Sequence, residues 1–575
     1  MRHWLKTTPL LLILLLVVAA PANAAILPGV AVDGPSNLID TARPDVDVAA
    51  DNSAALVYLK NDGGQNHPFV SRFVNGAWGA PQRVDTGSAN AASGPHIAVA
   101  NGGKVVVTYV SGGNAVARIS AAPGADFGAE HIIQAGGSKA DVDLSPNGNG
   151  YAVAESSNDV FAERLVGDTW TDVGVGALDS DQTHEAGGSN RDVRIAASAD
   201  GAGGAMAWGE ALVANSDEDV FVRRLTGSTP GNALGTRLAA GSLPGSVATS
   251  GKIADQPAVD MDGSGTIWVV YRQNFEYGAS IRHRAIARPI SGETVGEGQL
   301  VDNMGDAPTE GRDFQQIDVN GAGQGLLTHH GNLSNGLEWA SLAGGTWTRN
   351  GLVNSSDNAS VPGGVPALGE NGSGLIAYAF KVGTGLNAAT GRTTLGGLGA
   401  DIELSNPAFG ALLGALDASA GSGAFAAATF VQQANNDATT NRLVAAVVDL
   451  PQPAGSGGGT LPPDTTKPDV TRFRITRKVF RVGGLGTVIK WSQSEAGTDT
   501  IRFERRVNGR WRKVRRKMRF QATAGNHKLR FRGRFDRKHP LRPGRYRMTL
   551  TARDAAGNVS SPDRVRFRLL PKKRR

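Results

Sequence analysis

The chain has 575 residues, no cysteine, 77 glycines, and 59 Lys+Arg against 52 Asp+Glu. Lack of thiols excludes disulfides, thiolate zinc sites, iron–sulfur clusters, cysteine nucleophiles and a lipidated cysteine anchor, and 40% hydrophobic content is too apolar for wholesale disorder. The modest net charge hides a split: residues 467–575 hold 34 Lys+Arg and 7 Asp+Glu, while the rest hold 25 and 45, which implies separate domains with separate partners.

In chain order, the first element is an export signal. Arg2, His3 and Lys6 form a basic start, Leu10 to Ala20 an apolar run, and Ala22-Asn23-Ala24 a cleavage site with small residues at its two recognition positions. Residues 1–24 are therefore expected to be a signal peptide, with the mature chain beginning near Ala25. No later stretch approaches the ~20 apolar residues that span a bilayer. The expectation is a secreted or cell-surface protein that does not span the membrane.

Residues 25–452 repeat. Eight segments share an apolar alternation, an Asp or Asn beside a Gly, and a second apolar run, as in "VDVAADNSAALVYL" from Val46 and "VDMDGSGTIWVVY" from Val259. Aligned at Asp51, Asn101, Asn147, Asp200, Asp262, Asn320, Asn371 and Ala420, they are spaced by 50, 46, 53, 62, 58, 51 and 49 residues. Strand–turn–strand patterns such as "FAERLVGDTWTDV" follow most of them, with Gly supplying the positive φ of tight turns. Four short strands per unit of about 40–50 residues are the blades of a β-propeller. Eight blades are predicted, with seven left open by the Gly-rich seventh unit. "NLIDTARPDVDVAA" from Asn37 parallels the outer strands of later units, so Leu38–Asp40 is expected to pair with the last unit and close the ring.

Residues 453–468, "PAGSGGGTLPPDTTKP", read as a flexible Gly/Pro/Thr linker. In residues 469–570, Arg472-Phe473-Arg474-Ile475 and Arg564-Val565-Arg566-Phe567-Arg568 alternate apolar and basic residues, the mark of a sheet with one solvated face. Residues 571–575 form a basic tail. The stretch "LRPGRYRMTLTARDAAGNVSSP" from Leu541 resembles the late strands of bacterial Ig-like and fibronectin-III-like sandwiches, which implies a small β-sandwich with Tyr546 as its corner tyrosine. In architecture, the repeat region is similar to secreted bacterial propellers of the sialidase-like kind. The fold class expected is all-β: an eight-bladed propeller followed by a basic Ig-like sandwich.

Motifs for catalysis or metal binding are sparse. The Asp-box spacing of sialidase-like propellers, S-x-D-x-G-x-x-W, is not kept at Ser198–Trp208 or Asp260–Trp268, so no catalytic residue is assigned. Asp260-Met261-Asp262-Gly263 lacks the twelfth-position glutamate of a calcium loop. Asp179, Asp181, His184, Glu185 and Asp192, like Asp217-Glu218-Asp219, read as solvated acidic loops between blades, and His329-His330 has no zinc-motif context. No metal and no cofactor are expected. Trp78, Trp170 and Trp347, with Arg72, Arg118, Arg164 and Arg224, recur unit by unit as packing residues do. The one candidate binding set is the run Arg505, Arg506, Arg510, Trp511, Arg512, Lys513, Arg515, Arg516 and Lys517, suited to a polyanion. The export signal favours an anionic cell-envelope polymer over nucleic acid.

Two functional readings follow. One is a non-enzymatic binding or scaffold protein, with a propeller face for a polysaccharide or an extracellular protein and a basic domain for envelope material. The other is a secreted polysaccharide hydrolase or lyase. Converging carboxyls in the axial channel would favour the second reading.

Overall fold

A computed structural model describes residues 26–572 except 36–37, 39–42, 180–183, 187–192, 213–217, 239–253, 278–279, 303–311, 332–335, 355–363, 382–386, 407–408, 435–437, 453–469, 494–496, 523–524, 536–538 and 554–558. The predicted signal peptide and linker lie outside the described residues. Among the described residues there is no α-helix, and no helix is long and apolar enough to cross a membrane.

Eight antiparallel sheets form the propeller. Their innermost strands are Asp45–Val48, Ala92–Val99, Gly137–Leu144, Arg194–Ala197, Ala254–Met261, Arg312–Val319, Val365–Leu368 and Gly410–Ala420. Each touches the next, and the eighth touches the first, so the ring closes around an axis. The second strands, such as Val105–Ser111 and Gly374–Lys381, are the near-continuous apolar runs seen in sequence; Val105, Val106 and Val107 are fully buried.

One apolar cluster fills each of the eight interfaces between blades. Between blades 1 and 2 it joins Val57 and Val70 to Ile97, Val105 and Val116. Between blades 6 and 7 it joins Trp339 and Leu337 to Ile376 and Tyr378. Burying one such Val, Ile or Leu side chain contributes roughly 1.5–3 kcal/mol, so the hydrophobic effect holds the blades face to face. Where backbones approach most closely only glycine fits: a Cβ on Gly421 of blade 8 would lie 2.0 Å from the Ala49 carbonyl of blade 1.

Ring closure uses a different strand from the one expected. Ile26–Asp33 pairs antiparallel with Arg442–Asp449 and becomes the outer strand of blade 8, whereas Leu38 makes an isolated bridge to Lys60 of blade 1. Gly29 permits this, since a Cβ there would sit 2.5 Å from the Leu404 carbonyl and 2.6 Å from Val444. That glycine and two register shifts interrupt the strand's alternation, which is why Leu38–Asp40 looked the better candidate.

Beyond the propeller, a three-stranded and a five-stranded sheet enclose one core of Phe473, Ile489, Trp491, Phe503, Phe531, Tyr546 and Phe567. The Tyr546 hydroxyl donates to the Arg542 carbonyl at 2.6 Å, a corner-type contact four residues back.

Candidate functional site at the mouth of the axial channel

Every second residue of an innermost strand points into the channel. Because neighbouring blades share no sheet hydrogen bonds, the N–H groups on these inner edges need another acceptor. Aspartates supply it. Asp47 Oδ2 accepts from Val99 N–H at 2.6 Å, Asp143 Oδ2 from Ala197 N–H at 2.7 Å, Asp260 Oδ2 from Val319 N–H at 2.6 Å, and Asp318 Oδ2 from Leu368 N–H at 2.7 Å. Ser419 closes the series by accepting from Val48 N–H at 3.1 Å. Each residue therefore latches its blade to the following one.

The latching aspartates share a narrow space. Burial raises Asp47 to about 6, even though it accepts hydrogen bonds. Burial also raises Asp318 to about 7, aided by the charges of Glu370, Asp47 and Asp143. Asp143 and Asp260 are pushed well above the usual carboxylate range, by burial first and then by neighbouring aspartates.

Two residues nearer the open end, the ring is not uniform. The positions equivalent to Asp45 in successive blades are His96, Asp141, Arg194, Ala258, Gln316, Val365 and Asp417. With Arg43 and Asn66, most of these line a cavity of about 570 Å³. Three aspartates keep the latch role here: Asp417 accepts from Val46 N–H, Asp45 from Ile97 N–H and Asp141 from Ile195 N–H. The added groups are cationic. His96 Nδ1 lies 3.4 Å from Asp45 Oδ2 and 3.6 Å from Asp141 Oδ1, and Arg43 donates to Asp417 Oδ1 at 3.2 Å and to the Leu416 carbonyl at 2.8 Å.

Electrostatics divide the two carboxyls at the junction of blades 8 and 1. Burial acts to raise Asp45, but hydrogen bonding to His96 and its charge outweigh this and hold Asp45 at about 2. Burial first, and then the Asp45 charge, push Asp417 well up. Burial disfavours the His96 cation, yet Asp45 and Asp141 raise its pKa above the ordinary value. Asp45, Asp417 and His96 thus share one side of the mouth, with Asp45 held low and Asp417 and His96 raised. Ala258 and Gln316 line the same cavity without charge, and Val365 is buried between blades.

Other sequence candidates have structural work. Arg72, Arg164 and Arg224 reach the turn of the next blade, donating to the carbonyls of Gly103 at 2.9 Å, Gly201 at 3.5 Å and Gly265 at 2.7 Å, while Arg118 pairs with Glu130. Trp78 packs on Phe73, Trp170 stacks on His131, and Trp347 meets Trp268 edge-on. Asp262 Oδ1 organises its own turn by accepting from Ser264 and Thr266, apart from Asp260 in the channel. His329 is buried 3.5 Å from Glu338. Asp181, Asp192 and Asp217 lie outside the described residues. Burial raises Asp179, and it raises Asp219 to about 6.

The basic run is divided by the pleat of the Gly497–Val507 and Arg510–Ala522 hairpin. Arg506 faces Trp511, and Lys513 and Lys517 face Glu504 and Arg502, all on the solvent side of the five-stranded sheet. Arg505, Arg510 and Arg512 take the other side, where Arg505 donates to the Pro543 carbonyl at 2.7 Å. Arg515 lies in a bulge, and Arg516 contacts His539.

No protein-family model matches the chain, and no curated protein matches it. Among solved structures it is similar to a Penicillium chrysogenum alpha-L-arabinanase complexed with arabinobiose (13% identity, 74% of this chain and 98% of that one, TM-score 0.34). It is similar to a Fusarium graminearum alpha-L-arabinofuranosidase (11%, 73% and 97%, TM-score 0.34) and to the polysaccharide lyase Uly1 (9%, 64% and 92%, TM-score 0.37). At such identities, what those proteins bind or cleave is theirs alone. The propeller architecture of this chain rests on its own eight sheets.

Proposed function

We propose that the chain is exported and that its propeller acts on a polysaccharide at the channel mouth, as a hydrolase or lyase. The geometry that carries this is the pair Asp45 and Asp417 lining one cavity of about 570 Å³, where the His96 contact holds Asp45 low while burial raises Asp417. Environments that push two titratable groups apart are how a site provides an acid and a base at one pH. In this reading Asp417 donates a proton to a leaving oxygen, Asp45 accepts one, and His96 and Arg194 orient or neutralise an acidic sugar.

Binding without cleavage is the second reading, and one observation favours it. The His96 imidazole stands 3.4 Å from Asp45 and 3.6 Å from Asp141, and Asp417 is held by Arg43 and by Val46 N–H, so these carboxyls are already engaged within the protein. The test is to incubate the mature chain with a panel of neutral and acidic polysaccharides and follow chain length by mass spectrometry. Shortened products that disappear in Asp45→Asn and Asp417→Asn establish the acting reading. Retention of intact chains, lost in His96→Ala, establishes a binding module, and silence on both counts overturns the two together.

A further inference from the structure

The solvent face of the five-stranded sheet is far more basic than the run 505–517 implies. Its core side is set by Phe503, Tyr546, Met548, Phe567 and Leu569, all buried, so the residues between them point outward. Cross-strand register then assembles rows. One runs Lys513, Glu504, Arg547, Arg566; another places Lys517 beside Arg502 and Arg564 beside Thr549; a third sets Arg545 against Arg568. Strand spacing of about 4.8 Å and a same-face repeat of about 6.6 Å make this a flat grid of positive charge. Glu504 is the one carboxylate in these rows, and it engages both Nε, at 2.6 Å, and an Nη of Arg547, so Arg566 is the guanidinium over Trp511 that is left to an outside carboxylate.

Trp511 organises the centre of the grid. Its ring lies under Arg547 at 5.1 Å and Arg566 at 5.9 Å, so two guanidinium forks from adjacent strands are held over one aromatic surface. A preorganised guanidinium loses less freedom on binding than a mobile one, and its planar fork matches a carboxylate in two parallel hydrogen bonds. The grid extends over at least three rows, so a polymer can meet more of it than a single anion can. It lies on the face of a β-sheet, whereas reading duplex DNA calls for an element that enters a groove.

We propose that this sheet face is a docking surface for a linear polyuronate, a glycan bearing one carboxylate per sugar, with Arg547, Arg566 and Trp511 at its centre. Carboxylates spaced along such a chain meet successive rows, and the exposed edge of Trp511 takes the apolar face of a sugar ring.

The experiment uses the full mature chain, with polygalacturonate oligomers as probe, neutral dextran oligomers as control and a DNA duplex of equal charge as competitor. Polygalacturonate should bind at low salt, weaken by about tenfold or more as salt screening grows, and be indifferent to dextran. Arg566→Glu should weaken binding at least tenfold with an unchanged melting temperature, while Arg512→Glu, on the other side of the hairpin, should change it less than twofold. Equal losses from the two variants, salt-independent binding or no binding would overturn the proposal. Tighter binding of the duplex would reassign the face to nucleic acid. Polygalacturonate binding that Arg566→Glu leaves unchanged would place the polymer elsewhere on the chain and overturn the proposal, so its outcome is separate from that of the propeller reading.

Discussion

The axial channel and the outer face of the sandwich are built on the same alternation, a polar residue at every second position of a strand, and they use it in opposite ways. In the channel, the innermost strands are edges, and each aspartate is committed to a backbone N–H of the next blade, at 2.6 Å for Asp47 and Val99. On the sandwich, the arginines rise from strands such as Gly544–Arg553 that are paired on both sides, so no backbone edge competes for them. Repeated charge at an inner strand edge is therefore architecture, whereas charge on a strand such as Gly544–Arg553 is not committed to a backbone edge. The mouth of the channel lies between these cases: the latch persists at Asp45, Asp141 and Asp417, and His96, Arg43 and Arg194 break the repeat.

The sharpest way to break this contrast is to open the ring. Deleting residues 26–33 uncovers the Arg442–Asp449 strand, and we expect loss of the propeller's cooperative melting transition while the sandwich core retains its own, as read by calorimetry. A single transition lost as a whole would show that the two regions do not melt separately. Next in size, Asp45→Asn should lower polysaccharide turnover by about a hundredfold or more, the scale of a positioned acid–base group, with binding reduced much less; unchanged turnover would return Asp45 to a purely latching role.

A smaller effect concerns pH. Asp47 titrates near 6 and Asp318 near 7 in the folded chain, against about 4 when unfolded. Between those values the folded state binds the extra protons, so their contribution is fully present below about pH 4 and is lost as pH rises through 6 to 7. The propeller should melt at a higher temperature at pH 5 than at pH 8. Asp318→Asn keeps an acceptor for Leu368 N–H without the charge, and should raise stability at pH 8 by about 1–2 kcal/mol while flattening the profile. A melting temperature that rises with pH over this range would contradict the assignment. The smallest expected change is on the sandwich face, where Arg568→Ala should alter stability by less than about 0.5 kcal/mol, measured by denaturant unfolding.

The repeat made the propeller legible because its turns carry the same requirement in every blade: Asn147 and Asn320, for example, both accept from the backbone two residues on, and both bridge to the following blade's turn. The channel mouth was not legible in that way. Aligning the units at their turns puts Asp47 four residues before Asp51 but Asp260 only two before Asp262, which scrambles the inner-strand register. Alignment on the Val-Asp-Val and Ile-Asp-Val triplets instead would have placed His96, Arg194 and Gln316 in the same ring position as Asp45. On the sandwich, the run 505–517 was visible as a linear cluster, yet the pleat sends Arg505 and Arg512 away from Trp511 and brings in Arg547 and Arg566, 36 and 55 residues after it. Sequence proximity could not show that.

Closing blade 8 with Ile26–Asp33 has a consequence for the order of assembly. Its pairing with Arg442–Asp449 joins segments more than 400 residues apart, so loop-closure entropy opposes it until nearly the whole repeat array has formed. The earliest strand to be synthesised must wait, unpaired, for the last three strands of its blade. Until then the apolar edge of Phe430 and Val444 stays open. Completion of the ring is thus the slow, concentration-sensitive moment in this chain's maturation, when one molecule's Ile26–Asp33 strand competes with another's for the same edge.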